Sequence, residues 1–356
     1  MTYKNIAFIS QKRPNQHVAP FPRPHLEAFE SPLRTQMVMY HLKRIGLLDK
    51  MNQVDAPKAN RTDVLLAHSP YLLDTVELYG DFGSGHLGES AFASAEVFRA
   101  GLYAVGGAMR ACKMVLEKRA EHAYSLLRPP GHHASTSTPT GLCFFNNVAV
   151  AVRSAIEAGV DRVSIIDFDD HFGNGTAEIF YSDPKVQYIS IHEYDYENHG
   201  TGHFSEIGYA EGLGTNINIP LLDMSPDISY DAAFERVIIP AIEQFKPKII
   251  AVSAGYDPHW ADPVGNMDID SRTFWKIGKI IRDLTQSIDA VGSFWVLEGG
   301  YNPLGLGPCV EASLRGISGD KCPDLPDQIE REVHAMLVSQ NQKILDNVYE
   351  MSSPHW

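Results

Sequence analysis

Along most of the chain, short apolar runs alternate with longer stretches in which apolar residues recur every three to four positions. The first pattern suits buried strands and the second amphipathic helices. Asn5 to Ser10 reads as a strand, and a loop rich in Pro, His and Arg runs from Gln11 to Glu30. Ser31-Pro32 then supplies an N-cap and a first-turn proline, and Leu33, Met37, Tyr40 and Ile45 continue a helical face as far as Gly46. Asp63 to Ala67 reads as a strand, and Ser69-Pro70 opens another helix. Gly80 to Glu89, rich in glycine, reads as a flexible loop that connects helices or borders a pocket. A long helical pattern covers Ser94 to Arg119, with Gly106-Gly107 as a close-packing point. Further strands are expected at Ala123 to Leu127, Val163 to Ile166, Val186 to Ile191, Asn216 to Ile219, Lys248 to Val252 and Ser293 to Leu297. Helices are expected at Val148 to Ala158, Ala177 to Tyr181, Tyr230 to Phe245 and Ser271 to Ile288. Strands that alternate with helices pair in parallel and are covered on both faces. The pattern therefore predicts an α/β, three-layer αβα fold around a mainly parallel, roughly eight-stranded sheet. No repeat, low-complexity tract or linker divides residues 1–356, so a single domain is expected.

In such a sheet the carboxyl ends of the strands share one edge, where ligands bind. Four polar clusters fall just after predicted strands: Arg128-Pro-Pro-Gly-His132-His133, Asp167 to Asn174, Ser253-Ala-Gly-Tyr-Asp257-Pro-His259 and Glu298-Gly-Gly-Tyr301-Asn302. They can meet although they are far apart in sequence. Asp169 and His171 are two apart, so in extended backbone they project to the same side and can grip one cation. With Asp257 they would supply two carboxylate oxygens and one imidazole nitrogen, leaving a position open for water and substrate, as catalytic sites do. Such donors suit zinc without excluding iron(II), cobalt or manganese. The plainer alternatives are an acidic turn closed by Gly173 and Gly175, and a turn aspartate ahead of Pro258.

His132-His133 follows a stiff Pro-Pro-Gly turn. A neutral imidazole can take a proton from water and an imidazolium can give one to a leaving amine, which amide hydrolysis needs. Asp167 and Asn174 are available as partners, and a carboxylate on one ring with a neutral amide on the other would set different basicities. Tyr301, among small neighbours, could donate to a developing oxyanion. The alternatives are histidines on a surface loop and a tyrosine that caps the core with a wet hydroxyl. There is no Gly-x-Ser-x-Gly elbow and no P-loop, so serine-nucleophile and nucleotide chemistry lack support.

Composition narrows the partners. The formal charge is −14, from 30 Lys+Arg against 44 Asp+Glu, which repels nucleic acid and favours a cationic or amine-bearing ligand, although acidity can serve solubility alone. Hydrophobic residues make up 44% and charged residues 21%, as in globular proteins, and no apolar run is long enough to span a membrane. Met1 to Asn15 is too polar for a signal peptide. Cys112, Cys143, Cys309 and Cys322 form no Cys-x-x-Cys pair, which speaks against a thiolate metal site or a disulfide framework. A cytoplasmic location is expected, and a homo-oligomeric state stays open.

Taken together, Arg128-Pro-Pro-Gly-His-His, Gly141-Leu-Cys-Phe-Phe-Asn-Asn, Asp167-Phe-Asp-Asp-His-Phe-Gly-Asn-Gly-Thr, Ser253-Ala-Gly-Tyr-Asp and Glu298-Gly-Gly-Tyr-Asn resemble the histone deacetylase and acetylpolyamine amidohydrolase family, of the arginase/deacetylase fold. Pro32 and Arg34 echo its N-terminal helix, and Asn174 is similar to the class II branch and its bacterial relatives. The resemblance implies zinc on Asp169, His171 and Asp257, with His132 and His133 at the water and leaving group and Tyr301 on the carbonyl oxygen. It also implies a structural potassium or sodium ion near Asp167, held partly by backbone carbonyls of Asp169 and His171 and by Ser190 and Ile191. A metal-activated water would attack an acetyl amide with no covalent enzyme intermediate. Two departures stand out. Asp170 and Phe172 occupy places where the family often has valine and a second histidine. Beside Gly141 in the acyl tunnel, Leu142 and Asn198 stand where two facing aromatics are common, which loosens the tie to acetyl-lysine. Val264 stands where a polyamine-selective branch has a glutamate, and Glu89 or Asp81 is the alternative acid for a polyamine. The substrate is therefore expected to be acetyl-lysine or a small acylamine, with an acetylpolyamine as the alternative. A non-catalytic acyl-amine sensor is a reading of another class. A two-manganese ureohydrolase is disfavoured because Phe172-Gly-Asn stands where bridging aspartates are needed.

Overall fold

A strand buried on both faces needs apolar residues on both, and the central segments of this chain meet that demand: every residue of Val163–Asp167, Ile249–Ala254 and Ser293–Leu297 is buried. The computed structural model describes residues 3–13, 15–19 and 29–356. In chain order it places β1 (Ile6–Ser10), α1 (Pro32–Arg44), β2 (Asn52–Asp55), α2 (Arg61–Val64), α3 (Pro70–Phe82), β3 (Ser84–Gly88), β4 (Ala91–Ser94), α4 (Val97–Leu116) and β5 (His122–Ser125). There follow α5 (Asn147–Glu157), β6 (Val163–Asp167), α6 (Asn174–Phe180), β7 (Val186–Glu193), β8 (Asn216–Leu221), α7 (Asp227–Ala233), α8 (Ile239–Phe245) and β9 (Ile249–Ala254). The last elements are α9 (Ser271–Ser287), β10 (Ser293–Leu297), α10 (Leu306–Ser318) and α11 (Ala335–Ser352). A π-helical turn over Phe234–Ile238 joins α7 to α8, so the helix expected from Tyr230 to Phe245 is continuous but locally widened.

Eight strands form one parallel sheet in the order β2-β1-β5-β10-β9-β6-β7-β8. Side chains alternate between its faces: Phe8, Ile166, Val252 and Trp295 pack into one core layer, and Ile9, Ile165, Ala251 and Phe294 into the other. Ser125, Val296, Ser253 and Asp167 stand level across β5, β10, β9 and β6. All four predicted clusters therefore leave the same sheet edge on adjacent strands.

Some expectations fail, each for a local reason. Asp63 to Ala67 is not a strand: Asn60 and Asp63 form a capping box that starts α2, and the eighth strand is β2, a mostly exposed edge strand. The buried face of α1 carries Arg34, Thr35, Val38 and Leu42, whereas Leu33 and Tyr40 are exposed. Gly80 to Glu89 is not simply a loop, because it ends α3 and forms β3, which pairs antiparallel with β4. Of the expected loop from Gln11 to Glu30, Pro14 and residues 20–28 lie outside the described residues. Gly106 and Gly107 do pack closely. A Cβ on Gly106 would stand 2.1 Å from the carbonyl oxygen of Pro57, and one on Gly107 2.0 Å from Leu127 Cδ1. Gly107→Val is accordingly expected to cost roughly 1–3 kcal/mol through overpacking, read from the urea midpoint. An unchanged midpoint would show that α4 can shift away from β5.

Candidate active site

The turn after β5 is held from both sides. Glu298, at the end of β10, accepts the backbone N–H groups of Gly131 (2.6 Å) and His132 (3.1 Å) through one carboxylate oxygen. Arg128 is buried and donates to Glu30, to Asn15 Oδ1 (2.7 Å) and to the carbonyl of His17 (2.7 Å). The two imidazoles that follow lie 4.1 Å apart between ring centroids. His132 Nδ1 is 3.0 Å from Asp167 Oδ2, and His133 Nδ1 is 2.7 Å from Asn174 Oδ1. The two partners available in the sequence are thus divided between the rings, the carboxylate to His132 and the amide to His133. Burial opposes charge on His132, but Asp169 and Asp167 outweigh it and raise the imidazole to about 10. His133 has no carboxylate partner, and burial beside His132 and His171 pushes it down to about 3.

Next to this pair, Asp169, His171 and Asp257 offer one ligand atom each, all within 4.8 Å of one another. His171 Nδ1 lies 3.2 Å from Asp169 Oδ1 and 3.1 Å from Asp257 Oδ2. The two aspartates are buried and His171 is partly open. The neighbouring glycines are required for the approach. A Cβ on Gly255 would fall 2.1 Å from Asp169 Oδ2, and one on Gly299 would fall 2.2 Å from Asp257 Oδ2. Burial and the nearby charge of Asp169 push Asp257 up to about 7, a crowding of anionic oxygens that a divalent cation would neutralise. The donor set fits a divalent metal with an open position.

Tyr301 stands on the turn after β10. Its ring lies under the Arg34 guanidinium, 4.6 Å from Cζ to the ring centre, and its backbone N–H donates to Asp262 Oδ2 (2.6 Å). Arg34 also donates to the carbonyls of Gly300 (2.7 Å) and Glu298 (2.5 Å), so α1 grips the tyrosine turn. A cavity of about 390 Å³ opens beside Tyr301, lined among others by Arg34, Ala261 and Pro263.

The remaining expected residues are dispersed. Gly141 (φ +54°) presses on the His133 ring, where a Cβ would come within 2.3 Å, and Leu142 beside it is buried. Their backbone N–H groups donate to the carbonyls of Glu89 and Ser90, which brings the β3–β4 turn to this edge of the site. Asn198 is exposed and bonded to Asp195 (Nδ2 to Oδ2, 2.6 Å), and Val264 is half-buried on the segment after Asp257. Near Asp167, the Ser190 hydroxyl is 2.8 Å from His192 Nδ1, whose Nε2 donates to the carbonyl of Gly202, and Ile191 is buried. Phe172 packs against His192, with ring centroids 4.8 Å apart. Sequence reasoning assigned no role to Glu298, Asp262 or Tyr188, whose hydroxyl donates to Asp167 Oδ2 (2.9 Å). Their presence inside or near the motifs was the only available signal.

A histone deacetylase domain model matches residues 28–317. The chain belongs to the histone deacetylase family of amidohydrolases. It is 34% identical over 291 residues to a histone deacetylase-like amidohydrolase of Pseudomonas aeruginosa, covering 82% of this chain and 77% of that protein. It is 33% identical over 326 residues to a probable deacetylase of Archaeoglobus fulgidus, covering 89% and 88%. The crystal structure of the HDA15 HD domain matches with a TM-score of 0.88 at 26% sequence identity, over 99% of this chain and 95% of that one. Among the described residues no helix is long and apolar enough to cross a membrane.

Proposed function

We propose that this chain is a single-domain, zinc-dependent amidohydrolase of the cytoplasm that removes acetyl or related acyl groups from amines, with acetyl-lysine of proteins and small acylamines as substrates. The observation that carries the reading is the meeting of Asp169, His171 and Asp257 with two histidines, His132 paired with the Asp167 carboxylate and His133 with the neutral Asn174 amide. Asp169, His171 and Asp257 would hold the ion; Zn2+ suits them, and Fe2+ or Co2+ would also fit. When bound, the metal supplies Lewis acidity and a water acidic enough to lose a proton near neutral pH.

The chain's own residues do the rest. His133, neutral and held by Asn174, accepts a proton at Nε2, and His132, held by Asp167, keeps positive charge beside the reacting carbonyl. Tyr301 donates to the carbonyl oxygen as it gains charge. Gly141, Leu142, Asn198 and Val264 border the acyl tunnel and its mouth. K+ or Na+ near Asp167, Asp169, His171, Ser190 and Ile191 would steady the strand end on which the ligands stand. The formal charge of −14 disfavours nucleic acid and an anionic membrane surface as partners. An acetylpolyamine is the second reading, supported by Glu89, which is exposed on the turn that docks against Gly141 and Leu142.

Acetate release from an acetyl-lysine peptide and from acetylputrescine tests this with zinc-loaded wild type beside Tyr301→Phe and His133→Ala. Tyr301→Phe should lower kcat by about 10²–10³-fold and His133→Ala by about 10²–10⁴-fold, each with metal retained. Turnover of acetylputrescine alone would select the second reading. Binding without turnover of either substrate by the metallated protein would replace the enzyme with an acyl-amine sensor.

A further inference from the structure

Between the ligand residues Asp169 and His171 lies a third acid, Asp170, fully buried. A carboxylate there is costly unless its oxygens are satisfied. Its partners are two consecutive backbone N–H groups: Asn266 donates to Oδ2 (3.0 Å) and Met267 to Oδ1 (3.2 Å). Among the described residues no lysine or arginine forms an ion pair with it. The Asp170 backbone is engaged as well. Its N–H donates to Asp257 Oδ1 (3.1 Å) and its carbonyl accepts from Glu193 N (2.8 Å). Gly265 lets the chain come this close, because a Cβ there would stand 2.1 Å from the Asp257 carbonyl oxygen and 3.0 Å from Asp170 Cγ.

The same segment is tied at its other end. Asp262 Oδ2 accepts the N–H groups of Tyr301 (2.6 Å) and Asn302 (3.0 Å), while Oδ1 accepts that of Val264 (3.0 Å). Asn302 Nδ2 donates to the carbonyl of Ala261 (2.8 Å). Residues 261–267 are thus fastened to the β6 end by one carboxylate and to the tyrosine turn by another.

We propose that these two acids form a strut in which Asp170 is a positioning residue. It fixes residues 261–267 against the strand end that carries Asp169 and His171, and through Asp262 it sets where Tyr301 stands relative to them. The part of this that concerns Tyr301 rests on the reading of Tyr301 as the donor to the carbonyl oxygen. The strut itself does not.

The test uses the full chain loaded with zinc and the variants Asp170→Val and Asp170→Asn, each alone and combined with Tyr301→Phe. Amide hydrogen exchange followed by mass spectrometry reads the strut without any assay of activity. Asp170→Val should speed exchange at Asn266 and Met267 by about tenfold or more, with β9 and β10 unchanged. Zinc content should stay at the wild-type level. The kcat should fall roughly 10- to 100-fold, as a small misplacement of a reacting group does, and Asp170→Asn, which keeps one acceptor oxygen, should recover most of it. In the Tyr301→Phe background the same Asp170→Val change should cost almost nothing further, because the hydroxyl it positions is gone.

Should Asp170→Val fail to fold or lose zinc, Asn266→Pro takes its place, since it removes the backbone donor to Asp170, together with the side-chain bond to Glu193 Oε2, and leaves every carboxylate intact. Unchanged exchange at Met267 in the variant used would overturn the strut. Faster exchange with losses that add to those of Tyr301→Phe would overturn its link to Tyr301. If wild type releases no acetate from either substrate, the proposed reaction fails, and the exchange result still decides for or against the strut.

Discussion

Asp257→Ala is expected to release zinc and to reduce deacetylation on the order of 10³-fold or more. The expectation follows because, among the described residues, Asp169, His171 and Asp257 are the group of acids and histidines whose ligand atoms lie close enough to share a divalent ion. Asp169 and His171 come from one turn and form only one side of the cluster, and Asp257 closes it from β9. Loss of a hydrogen bond that merely orients a ligand costs metal affinity ~10–100-fold, so loss of a ligand should cost more. Asp257→Asn is the instructive comparison, because it preserves shape and one oxygen while removing the charge; it should bind zinc weakly where alanine binds none. Zinc per chain after dialysis, measured beside acetate release, checks both. Full zinc retention in Asp257→Ala would place the metal elsewhere.

Much of this site was legible in the sequence because the chain obeys one geometric rule: parallel strands put their carboxyl ends on one edge. Asp167, Asp257, His132 and Tyr301 could be grouped without coordinates once β6, β9, β5 and β10 were recognised as apolar runs. What failed was decided by partners far away in the chain. Leu33, Met37 and Tyr40 have the spacing of a buried face, yet α1 turns Arg34 inward instead, because Glu30 and the carbonyls of Gly300 and Glu298 are there to receive its guanidinium. Nothing in the local pattern announces that. β2, Asn-Gln-Val-Asp, lacks an apolar run because an edge strand need not be buried. Asp63 to Ala67 was apolar enough to pass for a strand, but the reciprocal hydrogen bonding of Asn60 and Asp63 favours a helix start. Glu298 was visible in its motif, and its work is done on Gly131, 167 residues away.

Arg128→Met should cost about 3–5 kcal/mol of stability, the usual penalty for stranding one member of a buried ion pair. Arg128 and Glu30 are each almost wholly buried, and Arg34 reaches the same carboxylate at 3.3 Å. Without Arg128, Glu30 keeps its charge in the core with only Arg34 to answer it. Replacing both partners, as Arg128→Met with Glu30→Gln, should recover part of the loss because no uncompensated carboxylate remains. The pH dependence has a definite sign. Burial alone would raise the Glu30 pKa, but Arg128 outweighs it, with Arg34 adding, and the folded value lies below the ordinary glutamate range. A depressed acid stabilises the fold above its unfolded pKa and loses that contribution as pH falls towards the folded one. The gap between wild type and Arg128→Met should therefore be widest near neutrality and narrow below about pH 4.3. Urea midpoints from neutral to acid pH measure it, and a constant gap would mean that Arg128 acts through its contacts with Asn15 and His17 rather than through charge. The same substitution bears on chemistry, because Arg128 begins the turn that delivers His132 and His133. Some loss of turnover in Arg128→Met should accompany the loss of stability, with Glu298 still holding the N–H groups of Gly131 and His132 and so limiting it.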